Sequence, residues 1–184
     1  AMAKKVELFD IRRATRWQMY GRLENLGDRT YVAPNPEYGA YVNFFLKEAA
    51  KEPVKVEILS EDGILVREIE SKSAGQGLNR IVWDLRMQEG IALAGGGGGG
   101  WWNGAMRPMA PPGNYTVVLH ANGEKLNKTV EVRSDPRLGM TPEDYQKQSK
   151  ALIALQSLLS QTNQLINESG LVVDQLQVLK KTLL

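Results

Sequence analysis

The chain is 184 residues long, 42% hydrophobic and 24% charged, a composition that supports a packed core and excludes disorder throughout. Its 23 Lys and Arg against 21 Asp and Glu leave a net charge of +2 spread along the sequence, which excludes the basic footprint of a nucleic-acid binder. With no cysteine, disulfides, zinc–thiolate sites and cysteine nucleophiles are excluded, and no apolar run approaches the ~18 residues of a membrane span.

Ala1-Met2-Ala3 reads as a cloning remnant and no signal peptide is visible, so the chain is expected to be a piece of a longer protein. Residues 1–38 hold turn formers, tyrosines and the cluster Arg12, Arg13 and Arg16, which reads as solvated surface. Pro34-Asn35-Pro36 closes that stretch, and an extended N-terminal linker is expected there.

From residue 39 the apolar positions take up period two. Val42, Phe44 and Leu46 alternate with Tyr41, Asn43 and Phe45, and Val54, Val56 and Ile58 alternate with Lys55 and Glu57, as half-buried strands should. Asp62-Gly63 is a hairpin signal ahead of Ile64-Leu65-Val66, because such turns need positive φ. Ile81, Trp83 and Leu85 mark a further strand. Residues 91–113 then hold the glycine run Gly95 to Gly100, the pair Trp101-Trp102 and the prolines Pro108, Pro111 and Pro112, a composition that predicts a long loop. Tyr115, Val117 and Leu119 alternate again, and Asn122-Gly123 turns the chain into a partner strand with Leu126, Val130 and Val132. Nothing between these strands is long enough for a crossover helix, so the spacing predicts an antiparallel β-sandwich over residues 39–135.

At residue 141 the character changes. Thr141-Pro142-Glu143-Asp144 is a helix start, with a capping hydroxyl, a proline suited to the first turn and two acids that complement the helix dipole. Tyr145, Leu152, Leu155, Leu159 and Ile166 recur at three- and four-residue steps, and Leu176, Leu179 and Leu183 resume the stripe beyond Gly170. A helical hairpin broken near Gly170 is expected over 141–184. A single long helix with a weak point at that glycine is the other reading. Either way the stripe needs a cover, which makes self-association through the helical tail an expectation.

Four phrases in order carry a resemblance: Tyr31-Val32-Ala33-Pro34-Asn35-Pro36-Glu37-Tyr38-Gly39-Ala40, Gly77-Leu78-Asn79-Arg80-Ile81-Val82-Trp83-Asp84-Leu85-Arg86, Pro111-Pro112-Gly113-Asn114-Tyr115-Thr116-Val117 and Asp135-Pro136-Arg137. Over residues 8–184 the chain resembles the C-terminal part of bacterial sortilin-type, BNR-repeat β-propeller proteins known as glycosyl hydrolases. What the resemblance implies is an immunoglobulin-like domain of the flagellar hook-capping type, followed by helices. It also implies an extracellular or periplasmic parent and a neighbouring β-propeller as partner. The hydrolase label belongs to the propeller, whose Asp-box motif (Ser-x-Asp-x-Gly-x-x-Trp) has no match in this sequence.

No residue volunteers for catalysis, for a cofactor or for a metal. Asp84 lacks a second carboxylate placed to work with it, and Trp83 reads as core. His120 is the only histidine and falls on the strand face opposite Val117 and Leu119, as an exposed residue would. The glycine run is followed by two tryptophans instead of the Gly-Lys-Ser or Gly-Lys-Thr of a phosphate loop. Trp101 and Trp102 are the candidate contact residues: two adjacent indoles could pack on their own sandwich, dock on a neighbouring domain or stack on polysaccharide. The function expected is that of a non-catalytic accessory domain, with a carbohydrate-binding module as the alternative.

Overall fold

Period-two alternation becomes two sheets. The computed structural model describes residues 5–17, 33, 35–95 and 105–183, and the chain divides into two compact units. The first holds the residues up to 85 together with 111–142; the second holds 86–110 and the C-terminal helix.

Among the described residues the regular structure of the first unit is β. A three-stranded sheet has the order β1 (Val6–Leu8), β3 (Ala40–Leu46), β6 (Gly77–Trp83), with both pairings antiparallel. A five-stranded sheet has the order β2 (Ala14–Arg16), β8 (Glu124–Ser134), β7 (Gly113–Ala121), β4 (Val54–Leu59), β5 (Leu65–Ser71). Within it only β2 runs parallel to its neighbour, β8. In β3 and β4 every second residue is buried, and Val42, Leu46, Val54, Val56 and Ile58 are wholly so. Each such side chain contributes about 1.5–3 kcal/mol by leaving water. Trp83 of β6 and Tyr115 of β7 meet edge to face with ring centroids 5.1 Å apart, so the two sheets share one core.

The expected linker over 1–38 is corrected by this pairing. Val6 and Leu8 are buried on β1 and Ala14 is buried on β2, so this stretch supplies one strand to each sheet. Three-residue strands are too short for their alternation to stand out among arginines, and the ladders of β3 and β8 decide their state. The hairpin turns behave as expected, with Gly63 at φ 77°, Asn122 at 49° and Gly123 at 78°. Gly39 is obligatory for a different reason: at φ 137° a Cβ would collide with the carbonyl of Trp83.

The second unit is built on α1 (Pro142–Leu183), one continuous helix of 42 residues with Glu143 and Asp144 in its first turn and Lys180 and Lys181 in its last. The expected hairpin is therefore corrected. Gly170 costs about 1 kcal/mol in a helix interior, which good helix formers on both sides outweigh, and no proline follows to stop the chain. The described residues are thus mainly β, with two sheets and one C-terminal helix.

Candidate functional site

The chemistry-bearing side chains of the sheet unit are absorbed by surface pairing. His120 is half-buried on the outer face of β7, its Nε2 3.1 Å from Oε2 of Glu57 on β4. Lys55 Nζ reaches Glu57 at 3.1 Å and Glu68 on β5 at 2.8 Å, so a four-residue network crosses three strands. Hydrogen bonds from His120 and then Lys55 hold the Glu57 carboxyl below the ordinary carboxylate range. Asp135 forms a closed local motif: it accepts from the Arg137 amide and from both Nε and an Nη of the Arg137 guanidinium, at 2.6 to 3.2 Å. That fork holds its carboxyl down to about 2. Asp135-Pro136-Arg137 is thus a turn lock after β8. Among the described residues no three His, Asp or Glu side chains gather as metal ligands would.

Tyr115 is perturbed by burial instead of by pairing. Burial against Trp83 pushes its phenol up to about 12, and its hydroxyl donates to the carbonyl of Pro111. Surface clefts of about 390 and 430 Å³ mark the same unit. The first has Lys5, Lys47 and Lys51 beside Glu48 and Glu52, which leaves it one positive charge in excess. In the second, Trp17 and Tyr38 pack edge to face and the Trp17 amide donates to the Tyr38 hydroxyl at 3.0 Å. Trp101 and Trp102 lie outside the described residues.

The second unit carries the less expected surface. Residues 86–90 and 106–109 run past each other, joined by an antiparallel bridge between Arg86 and Met109 and by backbone bonds from Met87 to Pro108 and from Gly90 to Met106. Helix side chains meet further backbone groups of this stretch and of residues 91–94. Gln156 donates to the carbonyls of Gln88 and Met106, both at 2.7 Å, and Ser160 accepts from the Ile91 amide at 3.1 Å. Asn163, almost wholly buried, donates to the Ile91 carbonyl at 2.7 Å. Asn167 donates to the Ala92 carbonyl and accepts from the Ala94 amide, at 2.9 and 2.7 Å. Gly90 allows the close approach, since a Cβ there would stand 2.6 Å from Ser160 Oγ.

One face of α1 therefore grips backbone, and that face is polar. The spacing 156, 160, 163, 167 is as regular as the apolar stripe and could have been found, had polar residues been scanned for helical period as apolar ones are. The apolar face is left in water. Leu155, Leu158, Leu165, Leu176, Leu179 and Leu183 are each more than half exposed, and so are Ile166, Val172 and Val173. No described helix is long and apolar enough throughout to cross a membrane. These exposed leucines form an apolar band along the helix.

No family model, curated protein or solved structure matches the chain.

Proposed function

We propose that this chain is a non-catalytic accessory module that acts by docking, with α1 as the docking element. The observation that carries the reading is the apolar side of α1, whose leucines stay exposed while its polar side is occupied. Such a face loses little on meeting a partner and gains the burial that water denies it.

The sheet unit reads as an immunoglobulin-like sandwich. Taking β1, β3 and β6 as strands A, B and E, and β4, β7 and β8 as C, F and G, the orders A-B-E and C-F-G of that fold are reproduced. Tyr115 near the start of β7 supports the assignment, because its hydroxyl reaches back four residues to Pro111, as a tyrosine corner does. Together with the four sequence phrases, this favours a module of a secreted bacterial β-propeller protein of the glycosyl-hydrolase-labelled kind. Its extracellular or periplasmic location and its neighbouring propeller follow from that resemblance.

Light scattering on the purified chain tests the docking reading. Self-association, or capture by the chain extended to include an upstream propeller, is expected. A clean monomer whose helix is as protected as its strands would sink the idea. The adjacent indoles of Trp101 and Trp102 favour polysaccharide as a second reading. Affinity electrophoresis through polysaccharide gels decides it: retardation that vanishes in Trp101→Ala/Trp102→Ala would put carbohydrate binding first.

A further inference from the structure

The exposed stripe of α1 has a spacing that a flat docking surface does not require. Taken as heptads, Leu155, Thr162, Ser169, Leu176 and Leu183 fall at one core position, a. Leu158, Leu165, Val172 and Leu179 fall at the other, d. That is nine successive core positions over four heptads, every one of them exposed. The backbone-gripping residues Gln156, Ser160, Asn163 and Asn167 fall at b and f. At about 100° per residue the two faces lie well over a quarter turn apart, so the seam can be covered without releasing residues 88–94.

We propose that the seam is covered by α1 of a second copy of this chain, the two helices forming an antiparallel coiled coil centred near Ile166. This rests on the reading of α1 as a docking element and names its partner. Three observations select a second copy. First, the a and d side chains of a seam this regular fit a helix of the same repeat, and a two-fold axis sets the patch against itself. Second, the area is of the right order: seven aliphatic a and d residues with Ile166 and Val173, at roughly 70 Å² each, amount to about 630 Å², at the lower end of the ~600–1,000 Å² per partner of a standard interface. Third, the two polar core positions are already satisfied, since Thr162 Oγ1 donates to the Leu158 carbonyl at 2.9 Å and Ser169 Oγ to the Leu165 carbonyl at 2.8 Å. Burying them leaves no orphaned hydroxyl.

Orientation follows from the flank. Leu159, Ile166 and Val173 occupy position e. In a parallel pair e faces the other flank, position g, which holds Gln161, Glu168 and Gln175. In an antiparallel pair e faces e, so that Ile166 meets its own copy and Leu159 meets Val173.

Sedimentation equilibrium of the full chain at tens of micromolar tests the pairing. A mass of two chains is expected. Leu176→Glu, on the seam, is expected to return it to one chain with its helical circular dichroism kept, while Leu171→Glu, equally apolar and exposed but on the opposite face, is expected to leave the dimer intact. Dissociation by both substitutions, or by neither, overturns the seam. Because the chain lacks cysteine, single cysteines report orientation. Ile166→Cys is expected to oxidise to a linked dimer and Leu183→Cys is not; linkage through Leu183→Cys alone overturns the antiparallel arrangement. A wild-type chain that stays monomeric overturns the pairing altogether. Hydrogen exchange then tells the two failures apart: rapid exchange over 171–183 leaves α1 a docking element for another partner, whereas protection there overturns the docking reading too.

Discussion

Between β4 and β7 the backbone pairs strand to strand, and Val56, Ile58, Val117 and Leu119 pack behind the ladder with no exposed surface. Along α1 the segment 88–94 joins no strand ladder, and carbonyls and amides in it are met instead by Gln156, Ser160, Asn163 and Asn167. The first arrangement draws its stability from apolar area and places polar bonds behind it. The second draws on side-chain hydrogen bonds, each contributing about 0.5–1.5 kcal/mol net, with little apolar area beneath. A sheet core should therefore resist as one cooperative body, while the helix-bound segment should open locally and first.

The sharpest way to break the comparison is at the sheet core. Trp83→Ala removes a wholly buried indole and its contact with Tyr115, and should cost about 3–5 kcal/mol. Urea unfolding followed by circular dichroism in the β region should show the whole transition moving. Next comes the buried amide of the helical unit. Asn163→Ala leaves the Ile91 carbonyl without this donor and should cost about 1–3 kcal/mol. Hydrogen exchange should rise at the amides of Ile91 and Ala94 while the urea midpoint of the sheet unit stays put; a shift of that midpoint would mean the two units unfold together.

Tyr115→Phe is expected to be milder, about 1 kcal/mol for the lost bond to Pro111. It also carries a pH signature. The folded phenol titrates at about 12 instead of 10, so its share of stability is complete below pH 10 and is lost as pH rises through 12. Alkaline unfolding followed by tyrosinate absorbance should show that step in the wild type and lose it in the variant. The smallest effect belongs to Asp135, whose carboxyl is held at about 2 against an ordinary 3.8. Its contribution is present above pH 4 and lost as pH falls towards 2, so the acid limb of the stability profile should flatten in Asp135→Asn.

What could be read from residues alone divides along the same line. The long strands were legible because β3, β4 and β7 alternate over several residues against one buried face, and the hairpins because Asp62-Gly63 and Asn122-Gly123 supply positive φ. β1 and β2 were not, since three residues give no period and their state depends on ladders far along the chain. Of the two readings of Gly170, the single long helix is the one that forms, since a glycine weakens a helix without ending it. The helix stripe was seen, yet its cover was sought among its own apolar residues. The contact that forms uses Gln156, Ser160, Asn163 and Asn167, whose partners are backbone atoms and leave no sequence pattern of their own. His120 stands on the strand face expected of it, paired with Glu57.

The crossing of residues 9–13 from one sheet to the other has a mechanical side. Because β2 runs parallel to β8, a pull that enters through the N-terminal end and leaves beyond β8 draws those two strands in opposite directions along their length. The ladder between them is then loaded in shear, with its hydrogen bonds strained together and not one at a time. A module tethered between a preceding domain and whatever its helix holds would carry tension through that short clamp, and three residues of β2 would set how much force it withstands.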